Sequence, residues 1–96
     1  MSEHAFQADD VAQSVVIHSL IVIGEAARAI TGAVERAGAQ GQAFQEGNRE
    51  LWDTLLLAGD MRNILTHEYF RVDPGVVWNA VTHDLPRLAA LLRPAV

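Results

Sequence analysis

At 96 residues, half of them hydrophobic and 6% aromatic, the chain has the length of one domain, and a domain this small buries only about 60–70% of its unfolded surface. The net charge of −5, from 7 basic residues (all Arg) and 12 acidic ones, excludes broad electrostatic adhesion to nucleic acid but allows a local Arg-lined cleft. With no cysteine, disulfides and thiolate metal sites are excluded; the polar, acidic start and the short apolar stretch from Val15 to Ile23, interrupted by His18 and Ser19, predict a cytoplasmic protein with no signal peptide and no membrane span.

Residues 1–8 are expected to be flexible. Asp9 or Asp10 is a candidate N-cap for a first helix running to about Ile30. Val11, Val15, His18, Val22, Ala26 and Ala29 follow one helical line; Val16, Leu20, Ile23, Ala27 and Ile30 follow another. A helix apolar over so much of its surface is central or shared with a partner. Thr31 is positioned to cap a short helix through Arg36. Residues 38–47, with three Gly and three Gln, read as a mobile loop.

Asn48 is placed to cap a second long helix. On it Leu51, Leu55, Ala58, Arg62, Leu65 and Tyr69 fall near one line. Asp73 followed by Pro74 predicts an N-cap with proline in the first turn, starting a third helix that ends near His83. Asp84 and Pro86 repeat the device for a last helix with Leu85, Leu88, Leu91 and Leu92 on its apolar face, stopped at Pro94. Trp52 and Trp78 are expected in the core. No strand alternation or repeat is present, and no pair of histidines has a metal-ligand spacing. The fold class is all-α.

The octet from Arg62 to Tyr69 carries the chemistry. Arg62 interrupts an apolar stripe, so its charge requires a carboxylate, carbonyls or a cleft; Glu25 on the first helix is the candidate partner. A guanidinium clamps a phosphate with parallel hydrogen bonds, and an imidazole moves protons near neutral pH. Asn63 stands four residues before His67, a spacing that lets the amide orient the ring. Tyr69 is a possible modification site or a half-packed helix-end aromatic, and Arg71 faces a phosphate or solvent. At about 100° per residue, Arg62 and His67 lie about 140° apart on an ideal helix. Either the helix unwinds near Thr66, or two such sites meet across a dimer.

The pattern of Arg62, His67 and Tyr69 resembles the Arg-x4-His-x-Tyr motif of HepT-like toxins of the HEPN superfamily. Ile23-Gly24-Glu25-Ala26-Ala27, Phe70-Arg71-Val72-Asp73, Val77-Trp78 and His83-Asp84-Leu85-Pro86 are similar to further stretches of that family, in its order, over roughly residues 6–93. The chain departs from the pattern in two places. A complete helix usually precedes the segment near Phe6, so the first family helix looks missing or truncated, and the stretch from Trp52 to Arg62 is slightly longer than usual.

The resemblance implies an antiparallel HEPN-like bundle of four to five helices, working as a homodimer on RNA. It implies a metal-independent endoribonuclease with no cofactor, the toxin of a toxin–antitoxin pair. Arg62 and His67 would be catalytic, Asn63 and Glu25 supporting, and Tyr69 would receive AMP from a nucleotidyltransferase antitoxin. The alternative is a non-catalytic module that docks a nucleotidyltransferase or a nucleotide through Arg62.

Overall fold

The computed structural model describes residues 1–67 and 72–93, and among these every regular element is helical, with no strand. The chain opens with a short helix, α1 (Glu3–Gln7), where a flexible segment was expected. Two causes are visible. The Ser2 hydroxyl accepts the Ala5 amide at 3.1 Å, a cap. Phe6 is buried and stacks on Trp78, with ring centroids 5.4 Å apart. Gln13 ties the turn down by donating to the Phe6 and Gln7 carbonyls.

Helix α2 (Asp10–Arg36) starts at Asp9, whose carboxylate accepts the Ala12 amide at 2.9 Å. It runs 27 residues without the break expected at Thr31. Thr31 is buried, and its hydroxyl donates back to the Arg28 carbonyl at 3.1 Å rather than capping a new helix. Such back-bonding satisfies the hydroxyl inside a continuing helix. By length and composition α2 is also apolar enough to cross a bilayer. In this fold it is the central packing element.

The predicted loop at 38–47 is instead helix α3 (Ala39–Gly47). Its glycines serve geometry rather than mobility. Gly38 adopts φ 63°, which turns the chain between α2 and α3. Gly41 lies so close to α2 that a β-carbon there would stand 1.8 Å from the Val34 carbonyl oxygen. Asn48 follows, but its side chain donates to the Phe44 carbonyl at 3.0 Å, closing the end of α3 instead of capping the next helix.

Helix α4 (Arg49–His67) packs antiparallel to α2. The pairing shows the direction: Ala27 shares a cluster with Leu51 and Leu55, whereas Ile17 and Leu20 share one with Leu65. Helix α5 (Pro74–Asn79) begins as expected, with the Asp73 carboxylate accepting the Gly75 amide at 2.7 Å. It does not stop at His83. A π-helical turn (Ala80–Asp84) carries it into helix α6 (Leu85–Leu92), and Asp84 makes no cap bond. Pro86 explains the turn, since its ring would press on the carbonyl four residues back and it offers no amide. The wider π turn, closed by Leu85 N–H on the Ala80 carbonyl, absorbs both defects.

Phe6, Ile17, Leu20, Leu65, Val77 and Ala80 form one buried cluster; Ala27, Leu51, Leu55 and Leu88 form the other. Trp52 is buried, and Trp78 is half-buried. The Cα frame measures 47 × 26 × 16 Å. Its shortest dimension admits two helix layers at the usual interaxial distance of about 8–10 Å but not three, so α2 cannot be covered on both sides. Val11, Val15 and Val22 on its outer face remain 74, 61 and 54% exposed.

Candidate functional site at the crossing of α2 and α4

Two glycines set the site. A β-carbon on Gly24 of α2 would stand 2.3 Å from Cβ of Arg62 and 2.7 Å from the Ala58 carbonyl oxygen. One on Gly59 of α4 would meet Cγ of Arg28 at 2.8 Å. The missing side chains let the two helices approach closely here, and the residues flanking the contact are charged.

Glu25, next to Gly24, meets Arg62 as its position suggested. Nη2 of Arg62 donates to Oε1 of Glu25 at 2.9 Å. Nη1 of Arg62 donates to Oδ1 of Asn63 at 3.2 Å. The Arg62 side chain is 25% exposed and that of Glu25 58%, so solvent screens the pair and its net worth is at most about 1 kcal/mol. Its consequence is orientation: the carboxylate and the amide fix the partly exposed guanidinium on one flank of the helix pair. Nε of Arg62 is buried and has no acceptor, so the group's donor capacity is only partly used.

Arg28 is a member of the site that stands outside the octet from Arg62 to Tyr69. It lies on α2, three residues beyond Glu25 on the same flank, and its Nη1 also donates to Oδ1 of Asn63. The signal was present in the Glu25–Arg28 spacing of one helical turn, which puts both side chains beside any residue facing Gly24. Asn63 is therefore engaged with two guanidiniums. Its amide oxygen serves them rather than His67.

His67 is exposed in the last turn of α4. The helix stays regular up to it, and the Thr66 hydroxyl donates to the Arg62 carbonyl at 2.8 Å. The unwinding near Thr66 that would bring His67 to Arg62 does not occur. Five residues of regular helix separate the two by about 140° and about 7.5 Å along the axis. Glu25, Asn63 and Arg62 are thus brought together, and His67 is not, within one protomer. Tyr69 and Arg71 lie outside the described residues. Among the described residues no three His, Asp or Glu side chains gather around one cation position.

The opposite flank of α4 is of another kind. An open cavity of about 210 Å³ lies there between α2, α4 and α6, walled by Leu20, Ile23, Leu57, Met61, Ile64 and Leu88. Asp60, Asp84 and Arg87 contribute polar atoms to it, and Arg87 is itself paired with Glu50.

The site is a guanidinium held by a carboxylate and an amide between two helices, with an exposed histidine five residues further along α4. The HepT-like ribonuclease family model matches residues 1–95, and the chain belongs to that family. Searches of curated proteins and of solved structures gave no match.

Proposed function

We propose that the protein is a metal-independent endoribonuclease that works as a homodimer, the toxin of a pair whose antitoxin is a minimal nucleotidyltransferase. The observation that carries the reading is the partly exposed Arg62 guanidinium, held by Glu25 and Asn63 in a chain of a ribonuclease family. RNA brings its own nucleophile. His67 of one protomer removes the 2′-OH proton, and the oxygen attacks the adjacent phosphorus. Arg62 stabilises the charge that builds on the non-bridging oxygens of the phosphorane. A second His67, protonated, gives its proton to the departing 5′ oxygen. The products are a 2′,3′-cyclic phosphate and a free 5′-OH.

One His67 cannot serve both the attacking and the leaving oxygen, and it stands away from Arg62 on its own helix. A two-fold dimer answers both points. The thin frame and the exposed valines of α2 support it, since that stripe runs beside the Glu25 flank. Tyr69 is the proposed acceptor of AMP, whose phosphate would occupy Arg62 and exclude RNA.

The separation of Arg62 from His67 within one protomer also favours a second reading, a non-catalytic module that docks a nucleotidyltransferase or nucleotide through Arg62. Incubation of the purified protein with RNA in EDTA separates the two. Cyclic-phosphate ends support the nuclease, and intact RNA with retained nucleotide binding supports the module.

A further inference from the structure

Two guanidiniums converge on one neutral oxygen at the α2–α4 crossing. Both Arg28 and Arg62 donate to Oδ1 of Asn63, so their Nη1 atoms lie within about 6 Å of each other, two hydrogen-bond lengths. Their mutual repulsion, screened by solvent, is small at this range, and an anion seated between them would turn it into attraction. One carboxylate is supplied, Glu25, and it pairs with Arg62. Among the described residues no carboxylate pairs with Arg28. The cluster of Arg28, Arg62 and Glu25 thus carries a net charge of about +1, in a chain whose total is −5. Arg28 is exposed, so it stands at the mouth of the site rather than beneath it.

From this convergence we propose that Arg28 is a second phosphate-binding residue, which with Arg62 clamps the two non-bridging oxygens of one RNA phosphodiester. The proposal rests on the ribonuclease reading above and deepens it. Asn63 acts as the placeholder. Its single oxygen holds both guanidiniums at the spacing a phosphate needs, and the incoming phosphate takes over their free N–H groups. Guanidinium is suited to this role by its planar set of five donors. As negative charge moves onto the non-bridging oxygens in the transition state, both contacts strengthen.

The test uses Arg28→Ala, Arg28→Gln and Arg28→Lys in the full chain, with two readouts. The first is cleavage of RNA. The second is binding of a 2′-O-methyl oligoribonucleotide, which keeps the phosphates and lacks the attacking hydroxyl. Arg28→Gln, which keeps an amide donor and loses the charge, is expected to weaken binding of that oligonucleotide about 10-fold, the scale of one charged hydrogen bond. The slope of log affinity against log salt should fall by about 0.7, one phosphate contact on a single strand. Arg28→Lys should recover the salt slope and only part of the affinity. Unchanged affinity and slope in Arg28→Gln, while the wild type cuts RNA, would overturn the clamp and leave the nuclease standing. A loss in Arg28→Ala that Arg28→Gln does not share would mark a packing role and overturn it too. A wild type that neither cuts RNA nor binds the oligonucleotide would overturn both.

Discussion

Gly24 of α2 and Arg62 of α4 are in direct van der Waals opposition: the space a β-carbon would need on the glycine is taken by Cβ of the arginine. The catalytic candidate is therefore seated by an absence on the facing helix. Gly24→Ala must push the helices apart, against backbone as well as side chain. Overpacking of this kind costs about 1–3 kcal/mol, and better helix propensity returns about 1. The expected net loss is up to about 2 kcal/mol, read by urea denaturation, with weaker phosphate binding because Glu25 no longer reaches Arg62. Gly32→Ala is the control. Its nearest neighbour is the movable tip of Arg36 at 3.2 Å, so stability should hold or rise slightly.

Removal of the acid–base group should silence the chemistry and leave the fold intact. His67 is exposed at a helix end, so His67→Ala is expected to melt like the wild type. Its RNA cleavage in EDTA should drop at least about 10²-fold, the scale of lost general acid–base catalysis. Arg62→Ala should do comparable harm, and Arg62→Lys should not restore full activity, because an ammonium lacks the planar fork. Wild-type cleavage by folded His67→Ala would eliminate its assigned role.

Assembly is testable by mass. Light scattering should give about 21 kDa, twice the 10.5 kDa chain, at low micromolar concentration. If the α2 face closes against its copy as proposed, Val22→Glu should abolish the dimer and RNA cleavage together. A fully active monomer at high concentration would exclude the shared cleft.

Tyr69 gives a prediction that mass spectrometry reads directly. Co-expression with a nucleotidyltransferase partner should add one or more AMP masses to the intact chain, with loss of nuclease activity. Tyr69→Phe should cut RNA and stay unmodified. An unchanged mass for the wild type beside an active partner would count against the AMP role.

Much of the helical frame was legible in the residues. Asp9 and Asp73-Pro74 mark their helix starts through local chemistry, and Glu25 was identifiable as the partner of Arg62 because a charge within an apolar stripe requires one. Other features were not legible, helix α1, the unbroken run of α2 past Thr31 and the role of Asn48 among them, and three more bear on the site and its frame. Helix α3 was hidden because Gly38 and Gly41 look like loop residues until the close pass beneath Val34 is known. The π turn was hidden because Asp84 and Pro86 spell a helix start equally well. Arg28 was hidden because a lone arginine gains meaning only from what stands opposite, here Asn63 on another helix.

The outer stripe of α2 has a symmetry of its own. Val11, Val15, His18, Val22, Ala26, Ala29 and Ala33 are spaced four, three, four, four, three and four residues apart, and all are exposed. The series reads the same in both directions, with Val22 at its centre. It is an 11-residue repeat, close to the natural pitch of a helix, so it runs nearly straight along the rod. Laid antiparallel on its own copy about a two-fold axis at Val22, the stripe sets Val11 against Ala33, Val15 against Ala29 and His18 against Ala26. Away from the axis, where Val22 meets its own copy, each large side chain then faces a small one. A parallel arrangement would stack valine on valine at one end and leave alanine gaps at the other. In the proposed dimer the order of residues on this surface would favour one mutual orientation of two chains, and a glutamate at position 22 would stand against its own twin.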